Sequence, residues 1–338
     1  MPNILFRADA HKTVGTGDLM SLIYLSSLFR ARGWGCYFAV RDFEASKRIV
    51  HNLALENVSW VPSGSSIAQE IYQVNRICID ISADCFFMEV TGQPLSAYAA
   101  LGRPAPIMAC VNFDGVLSGD FDLVVNWCID AADEAYSGHS DVVVLKGFEN
   151  TVLPDYLDRR RITNRTYSTV VRRILITMGG IDEFDLTGRI LEVISRLRQN
   201  YQVRVIAGPG YKLRATGFAG VMFKENSCNL FTDYLWADIA FSAGGLTSSE
   251  LIASHTPALL IASYPHQVKR CQYYAKCGWA YYLGQQDKVD ADVILAGLSK
   301  VIDGISDYHL TLSNLNFWGS NEKIFEIIDS YRQSRKLV

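Results

Sequence analysis

Short apolar runs typical of buried β-strands alternate with helical patterns along almost the whole chain. This alternation limits the fold strongly, because parallel strands need a crossover between them and that crossover is usually a helix. In the first half, the predicted strands are Ile4–Phe6, Gly35–Val40, Val58–Trp60, Ile77–Ile81, Ile107–Val111, Leu123–Asn126 and Val142–Leu145. In the second half, they are Arg173–Thr177, Tyr201–Ile206, Val221–Phe223, Ile239–Ser242, Ala258–Ile261 and Ala280–Leu283. The sequence therefore predicts an α/β protein with parallel sheets covered by helices.

A polar, arginine-rich segment separates the two series of strands. The chain has 338 residues, which suits two domains of about 150 residues each. We predict an N-terminal domain at 1–157, a linker at 158–171 and a C-terminal domain at 172–338. A final predicted helix, Asn321–Tyr331, either closes the second domain or crosses back onto the first.

Charge and composition exclude several classes of protein. The formal net charge of −3 gives no general attraction to nucleic acid. The eight cysteines form no CxxC pair, and several lie in apolar runs such as Arg76–Asp80, so we interpret them as reduced core thiols. No stretch reaches the length of about 18 apolar residues that a membrane span needs, and we expect a cytoplasmic protein. No His and acidic residues have metal-ligand spacing, so no metal is predicted.

A glycine-rich turn follows the first predicted strand and ends in a carboxylate. The segment Val14–Asp18 leads into a helix predicted at Leu19–Arg32. Gly15 and Gly17 allow positive φ and close approach of a ligand to the backbone, so both are predicted to contact a ligand. Asp18 is a candidate catalytic base, and the alternative is that it only caps the helix.

Two strand-to-helix turns in the second half have the composition of anion sites. The first follows the strand Arg173–Thr177 and precedes a helix predicted at Leu186–Gln199. The second follows the strand Ile239–Ser242 and opens another helix. Helix N-termini favour phosphate, whereas each Gly-Gly pair alone is equally explained by a tightly packed turn. Ligand contacts are predicted at Gly179, Gly180, Ser242, Gly244, Gly245 and Thr247.

The residues after the second turn follow a specific order. Glu250 lies inside the helix, where its carboxylate could accept hydrogen bonds from ribose hydroxyls, and Pro257 with an apolar strand comes next. His266 and Gln267 then stand at the following strand end, and such ends converge on one crevice. In this order the chain resembles the GT-B superfamily of nucleotide-sugar enzymes. More narrowly, it resembles the pseudaminic acid pathway hydrolases that act on UDP-2,4-diacetamido-2,4,6-trideoxy-β-L-altrose, and the related spore-coat polysaccharide proteins.

The resemblance extends over nearly the whole chain. It is carried by Leu5–Ala10, Val14–Gly17, Phe113–Gly115, Asp122–Asn126, Met178–Asp182 and Ser242–Gln267. It implies two Rossmann-like domains that face a central cleft, with a UDP- or CMP-linked sugar held on the C-terminal domain. It further implies that the diphosphate lies at the Gly-Gly turns, the ribose on Glu250, the sugar near Gln267, and His266 beside the leaving phosphate. No cofactor is implied, because the nucleotide sugar is itself the substrate.

The chain departs from the family pattern at the first turn. The pattern continues after its Gly-x-Gly with a histidine and, three residues later, an arginine, whereas this chain has Asp18 and Ser21. In the hydrolases the histidine activates water, so the resemblance implies that Asp18 holds the position of the base. A carboxylate base suits an acceptor hydroxyl. This favours a glycosyltransferase of bacterial surface glycan or nonulosonate metabolism, with a glycan or protein acceptor; a nucleotide-sugar hydrolase and a non-catalytic nucleotide-sugar-binding protein stay open as alternatives.

Three other side chains of the first half are candidates on weaker grounds. His11 lies seven residues before Asp18, and a lone histidine is more often structural than catalytic. Asp9 and Asp114 follow predicted strands, where they could touch the acceptor or form Asx-turns and caps.

Overall fold

The computed structural model describes residues 1–128, 134–208, 218, 220–225, 229–315 and 317–335. The chain forms two compact units. Unit 1 comprises Met1–Asp155 and Gly319–Val338, and unit 2 comprises Tyr156–Trp318. The chain therefore leaves unit 1 after Asp155 and returns to it at Gly319.

Unit 1 is built on a seven-stranded parallel sheet. Its strands are β1 (Asn3–Ala8), β2 (Gly35–Arg41), β3 (Val58–Val61), β4 (Cys85–Glu89), β5 (Ile107–Val111), β6 (Leu123–Asn126) and β7 (Val143–Lys146). Its first helices are α1 (Gly17–Ala31), α2 (Glu44–Asn52) and α3 (Ile67–Asp80), with 3-10 helices at Leu95–Leu101 and Phe148–Asn150.

The strand order of this sheet, β3-β2-β1-β4-β5-β6-β7, reverses between β1 and β4. Both pairs at this point are parallel, with Phe6 opposite Phe38 on one side and Phe87 on the other. In open parallel sheets, ligands bind outside the carboxyl ends of the strands where the order reverses. The loops that follow Ala8 and Glu89 therefore mark the place for a site in unit 1.

Unit 2 is built on a six-stranded parallel sheet. Its strands are β8 (Arg173–Thr177), β9 (Gln202–Ala207), β10 (Val221–Glu225), β11 (Ile239–Ala243), β12 (Ala258–Ala262) and β13 (Ala280–Gln285). Its helices are α4 (Arg159–Thr163), α5 (Leu186–Ser195), α6 (Phe231–Trp236), α7 (Leu246–Ala253), α8 (Val268–Lys276), α9 (Ala291–Asp303) and α10 (Ile305–Ser313), with a 3-10 helix at Pro265–Gln267. The order β10-β9-β8-β11-β12-β13 reverses between β8 and β11. The loops after Thr177 and Ala243 therefore mark the corresponding place in this unit.

The last helix, α11 (Asn321–Arg335), belongs to unit 1. Phe325 packs edge-on against Phe29 of α1, with ring centroids 5.0 Å apart, and Ile324 and Ile328 are fully buried. Of the two placements predicted for the final helix, the structure has it on the first unit rather than the second.

Residues 158–171, predicted as a linker, belong to unit 2. Their first part forms α4, and the Arg165 guanidinium that follows is half-buried. Arg165 donates hydrogen bonds to the Thr256 hydroxyl at 2.7 Å and to the carbonyls of Ser254 and Ala237. Arg165 therefore serves internal packing, whereas Arg159, Arg160 and Arg161 are exposed.

The strand predicted at Ile77–Ile81 is wrong. Ile77–Asp80 form the end of α3 and Ile81 is its C-cap; the buried face of this helix carries Ile71, Val74 and Cys78 at helical spacing. The fourth strand of the sheet is instead Cys85–Glu89, which was not predicted. Cys78 accordingly lies on a helix and not in a strand.

Five of the seven described cysteines are buried, as expected for core residues; Cys228 lies outside the described residues. Burial raises the pKa of the Cys36 thiol to about 11 and that of Cys78 to about 12. In the described part of the chain, no helix has the length and apolar character needed to cross a membrane.

Candidate functional site

The turn after β1 is closed by hydrogen bonds between His11 and Gly15. The His11 N–H donates to the Gly15 carbonyl at 2.9 Å, and the Gly15 N–H donates back to the His11 carbonyl at 2.7 Å. Gly15 has a φ of +91°, which requires glycine, and Gly17 is the first residue of α1. The predicted turn therefore forms, and its two glycines bring the chain to the start of the helix.

Asp18 lies inside the first turn of α1 and is not its N-cap. The N-cap residue is Thr16, and no side-chain cap bond is made there. The Asp18 carboxylate, 7% exposed, reaches instead to the loop after β4. The Thr91 N–H donates to Oδ2 at 2.6 Å and the Thr91 hydroxyl donates to Oδ1 at 2.8 Å. These contacts join the β1 and β4 loops, which are the two loops at the switch point of unit 1.

Ser21, one turn further along α1, also reaches the end of β4. Its hydroxyl contacts the Glu89 carboxylate and the Asp18 carbonyl, the latter at 2.9 Å. Asp18 and Ser21 are therefore both bonded to the segment Glu89–Thr91.

A cavity of about 350 Å³ lies at this end of the unit 1 sheet. Three of the four first-half candidate side chains, Asp9, His11 and Asp18, line it. Its other lining residues are Thr13, Val14, Arg41, Phe43, Val90, Thr91, Gly92, Gln93 and Tyr98. The cavity thus offers both hydrogen-bond donors and acceptors beside an aromatic ring, which is the composition of a small-molecule site.

A buried ionic network forms the wall of this cavity. Arg7 makes a bidentate pair with Asp9, at 2.6 and 2.7 Å, and also donates to Glu70 at 2.8 Å. The Arg41 Nε donates to the Oε2 of the same Glu70 carboxylate at 2.8 Å, and the Tyr98 hydroxyl donates to its Oε1 at 2.9 Å. Burial opposes the charge of Arg7 and would lower its pKa, yet Asp9 and Glu70 hold the pKa of Arg7 above its usual value. Asp9 is therefore an ion-pair partner, not the predicted Asx-turn or cap.

The Glu70 carboxylate is held in its charged form. Burial alone would raise the pKa of Glu70, but Arg7 and Arg41 outweigh it, and the pKa of Glu70 is lowered. The pKa of the Tyr98 phenol is raised, chiefly by burial. The charged Glu70 carboxylate thus accepts hydrogen bonds from Arg7, Arg41 and Tyr98, and these contacts hold Arg41 and Tyr98 at the cavity.

His11 is half-buried at the rim of the same cavity. Its ring lies 4.3 Å from that of Phe43, and its Nδ1 is 2.8 Å from the Thr13 hydroxyl. Burial and the neighbouring Lys12 charge lower the pKa of His11. The imidazole is accordingly neutral at pH 7 and able to accept a proton.

Asp114 does not line this cavity. It is exposed in the loop after β5, and its N–H donates to the Asn112 side chain at 2.9 Å. The Asx-turn at this position is therefore formed by Asn112, with Asp114 as the donor residue.

In unit 2, the loop after β8 contains the first predicted Gly-Gly pair. Gly179 has a φ of +76°, and a Cβ on Gly208 would lie 2.4 Å from the Gly179 carbonyl oxygen and 2.5 Å from the Cα of Gly180. The Asp182 carboxylate accepts from the N–H groups of Leu186 and Thr187 at the start of α5. These N–H groups are therefore occupied by a side chain of the protein, and the loop itself is shaped by packing.

The turn after β11 joins the sheet to α7 through Gly244 and Gly245. A Cβ on Gly244 would lie 2.3 Å from the Cys271 sulfur, so packing alone demands glycine there. Gly245, the N-cap of α7, has φ −85° and ψ −158°, and a Cβ on it would meet no atom closer than 3.6 Å. Neither backbone conformation nor packing requires glycine at 245.

Hydroxyl groups surround this turn, and most of them are buried. Ser242 is fully buried and donates to the Ala243 carbonyl, while Ser248 donates to the Gly245 carbonyl at 2.6 Å. Ser249 is bonded to the Tyr274 hydroxyl at 2.8 Å. Thr247 is the half-exposed member of the series. Of the predicted hydroxyl contacts, Thr247 is thus more accessible than Ser242.

Glu250, predicted to bind ribose, is almost completely buried. It is 2% exposed, and its Oε2 accepts from the Tyr234 hydroxyl at 2.5 Å and from the Tyr156 hydroxyl at 3.2 Å. In this structure the carboxylate ties α7 to α6 and to the first residue of unit 2.

The segment after β12 packs against the same turn. Gln267 is buried; its Oε1 accepts from the Ser263 N–H at 2.9 Å, and its Nε2 is the atom nearest to the open side of Gly245. His266 is exposed and stacks on Tyr264, with ring centroids 5.7 Å apart. Partial burial of the ring and then the Arg270 charge lower the pKa of His266.

Arg270 was not among the predicted residues. It is 7% exposed, and its Nη1 lies 3.4 Å from the Gly244 carbonyl oxygen. It places a buried positive charge at the turn that opens α7. In the described residues, no three His, Cys, Asp or Glu side chains form a group that could hold a metal ion.

Comparison with solved structures identifies the architecture. Acinetobacter baumannii MurG superposes with a TM-score of 0.65 at 11% identity, covering 97% of this chain and 100% of that one. Staphylococcus aureus MnaA, solved with UDP, gives 0.65 at 14%, with 98% and 97% covered. The spinosyn rhamnosyltransferase SpnG, solved with thymidine diphosphate, gives 0.63 at 13%, with 93% and 95% covered.

The chain has the GT-B fold. The likeness spans both parallel-sheet units, and at these identities it is a likeness of fold alone. No protein-family profile and no curated protein matches the chain by sequence. The GT-B fold implied by the resemblance is therefore confirmed by the architecture.

Several residues at the two switch points were not predicted. In unit 1 they are Arg41, Thr91 and Tyr98, and in unit 2 the residue is Arg270. A correct assignment of β4 would have pointed to Thr91, which follows its end by two residues. Arg41 could have been predicted as a site residue, because it stands at the end of β2. Nothing in the sequence distinguishes Tyr98 and Arg270 from core residues.

Proposed function

We propose that the protein is a glycosyltransferase that displaces the nucleotide of a nucleotide sugar at the anomeric carbon, with Asp18 as general base. The observation that carries the proposal is the Asp18 carboxylate, held by Thr91 on a cavity at the switch point of a GT-B unit. The acceptor hydroxyl oxygen forms the new bond to the anomeric carbon, and the bond from that carbon to the diphosphate breaks. The acceptor proton passes to Asp18 and the nucleoside diphosphate leaves.

The nucleotide is proposed to bind in unit 2. The open position at Gly245 leaves the N-terminus of α7 accessible, and the buried Arg270 lies beside the same turn. Positive charge of this kind stabilises a departing diphosphate. Two proteins of the same fold, MnaA and SpnG, were solved with UDP and with thymidine diphosphate. We therefore assign a pyrimidine nucleoside diphosphate to this turn, with Thr247 and Gln267 as further contacts.

We propose that Glu250 binds the ribose, that His266 lies beside the departing phosphate, and that the Gly179–Gly180 turn contacts the diphosphate. For Glu250, binding to ribose requires its carboxylate to exchange the contact with Tyr234 or Tyr156 for ribose hydroxyls. A Glu250→Gln variant therefore tests the assignment: weaker nucleotide binding with intact folding supports it, and unchanged binding contradicts it.

The reaction is proposed to need no metal ion, because the α7 N-terminus and Arg270 can supply the positive charge that a leaving diphosphate needs. We expect the rate of nucleotide release to be unchanged by EDTA. An activity that EDTA abolishes and that Mg²⁺ or Mn²⁺ restores would overturn this expectation.

One observation favours a second candidate, hydrolysis of the nucleotide sugar. His11 lines the same cavity as Asp18 and is neutral at pH 7, so it could activate water as the family's histidine does. In that case nucleotide release would need no acceptor and would be lost in His11→Asn but not in Asp18→Asn. Biosynthesis of pseudaminic acid or a related nonulosonate would then be the setting, as the resemblance implies.

A third outcome is binding without turnover. Incubation with UDP- and CMP-linked sugars, with and without sugar acceptors, separates the three cases by nucleotide release. Release only with an acceptor supports transfer, release in water supports hydrolysis, and tight binding with no release leaves a nucleotide-sugar-binding protein.

A further inference from the structure

The segment that ends β4 contacts the first two turns of α1. Thr91 contacts the Asp18 carboxylate, and Glu89 contacts the Ser21 hydroxyl one turn further along. Gly92 continues the contact: its φ is +86°, and a Cβ there would lie 2.9 Å from a methyl carbon of Val14. The β4 loop is thus packed against the turn that precedes Asp18 as well as bonded to Asp18 itself.

The contact between Thr91 and Asp18 fixes both oxygens of one carboxylate. One oxygen takes the backbone N–H at 2.6 Å and the other takes the hydroxyl at 2.8 Å. Two donors from one residue define the plane of the carboxylate, as a bidentate partner does, and hydrogen bonds to an ionised group are the stronger kind. A carboxylate has about four acceptor sites, so Thr91 takes two of them.

We infer that Thr91 is the positioning residue for Asp18, holding its carboxylate in the orientation and ionised form that the proposed base requires. The inference rests on the proposed function, in which Asp18 accepts the proton of the acceptor hydroxyl. Thr91 itself touches no reacting atom; it acts through Asp18.

The hydroxyl of Thr91 has a specific electrostatic consequence. A hydrogen bond to a carboxylate favours the charged form, so the hydroxyl keeps Asp18 ionised to lower pH than it would be alone. Other ionisable groups line or flank the same cavity and must stay unchanged in the test. Asp9, His11, Arg41 and Tyr98 line it, Lys12 follows His11 in the β1 loop, and Glu89 of β4 contacts Ser21.

The test compares Thr91→Val with Thr91→Ser. Valine has nearly the same shape and keeps the backbone N–H but loses the hydroxyl, whereas serine restores it. The first readout is the titration of the Asp18 carboxyl carbon by NMR, identified by its loss in Asp18→Asn. We expect the midpoint in Thr91→Val to move up by about one pH unit and to return in Thr91→Ser.

The second readout is turnover of the nucleotide sugar. We expect kcat of Thr91→Val to fall about tenfold, with KM for the nucleotide sugar unchanged and the acidic limb of the pH profile moved upward. Thr91→Ser should recover most of the rate. Thr163→Val, on exposed α4 of unit 2, serves as the matched control and should change neither readout.

The outcomes separate this inference from the proposed function. An Asp18 titration that does not move in Thr91→Val overturns the inference, whatever the activity. If the Asp18 titration moves in Thr91→Val without any loss of kcat, while Asp18→Asn is inactive, the positioning role of Thr91 is wrong and Asp18 remains the proposed base. Full turnover in Asp18→Asn overturns the proposed function, and the inference with it.

Discussion

Gly244 and Gly245 are neighbours in the chain, but the structure gives them different reasons to be glycine. At 244 any side chain would collide with the Cys271 sulfur, and at 245 there is room for a methyl group and an allowed backbone conformation. From sequence, a packed turn and a phosphate site were equally good explanations of the pair. The geometry assigns packing to Gly244 and does not require glycine at 245, where ligand binding is our proposal.

This difference predicts opposite effects of two alanine variants. Gly244→Ala should lower the free energy of unfolding by about 1–3 kcal/mol, because the added methyl overpacks the site. Gly245→Ala should change it by less than about 1 kcal/mol, since the weaker N-cap preference of alanine is offset by a less flexible unfolded chain. Gly245→Ala should nonetheless weaken binding of UDP about tenfold. Denaturant unfolding measures the change in stability, and calorimetric titration measures the change in UDP affinity. A Gly245→Ala variant that binds UDP as tightly as the wild type would contradict a phosphate site at this turn.

Asp18 shows what sequence can and cannot predict about one residue. Its position at a strand-to-helix turn was readable from the glycines, and the structure places it on a cavity with His11 and Asp9. Its partner Thr91 was not readable, because the two are 73 positions apart and the strand before Thr91 was not recognised.

At the scale of elements, the error over Ile77–Ile81 has a local cause. The segment Ile-Cys-Ile-Asp-Ile has the alternation of a strand when it is considered alone. The helix begins ten residues before Ile77, after a capping box formed by Ser66 and Gln69, and it continues through Ile77 and Ile79. The longer period, with Ile71, Val74 and Cys78 on one face, outweighs the short alternation.

The Arg7 network joins elements that are distant in sequence. Arg7 on β1 and Arg41 at the end of β2 share the Glu70 carboxylate of α3, and Tyr98 adds the 3-10 helix. Arg7→Met would leave Glu70 and Asp9 without a fully buried partner. We expect the free energy of unfolding to fall by about 3–5 kcal/mol.

The matched control for this prediction is Arg48→Met. Arg48 pairs with Glu44 at the surface, with both side chains exposed, and such pairs contribute at most about 0.5 kcal/mol. Equal losses for the two variants in denaturant unfolding would show that the buried network has no special part in holding the cavity wall.

At the scale of the whole molecule, buried neutral histidines make stability depend on pH. His255 and His309 are buried in unit 2. Burial is the main cause that lowers the pKa of each imidazole, and the nearby Arg165 charge lowers it further. The unfolded chain therefore binds more protons than the folded one once the pH falls below the ordinary histidine value of about 6.5. Stability should be full above that value and decline as the pH falls toward 5.

Denaturant unfolding at pH 7.5 and 5.5 measures this decline. In the double variant His255→Asn, His309→Gln the decline should be smaller; asparagine tolerates the positive φ of 55° at position 255. The lowered pKa of Glu70 acts at lower pH, below the ordinary carboxyl range, and does not contribute in this window. An unchanged slope in the double variant would assign the pH dependence to other groups.

The overall architecture was predictable because it depends on a repeated pattern. Of the thirteen strands that the structure describes, twelve lie at or within two residues of predicted runs, and their parallel pairing follows from the helical crossovers between them. The boundary between units was less accessible, because Arg165 and its neighbours look like a solvated linker until their buried partners are known.

The central claim is that Asp18 is the base for transfer of a sugar to an acceptor hydroxyl. The measurement is nucleotide release from UDP- or CMP-linked sugars, with and without acceptors, by the wild type and by Asp18→Asn. We predict acceptor-dependent release that falls about 10²- to 10⁴-fold in Asp18→Asn, with unchanged affinity for the nucleoside diphosphate. Acceptor-independent release, or release by Asp18→Asn at the wild-type rate, would contradict the claim.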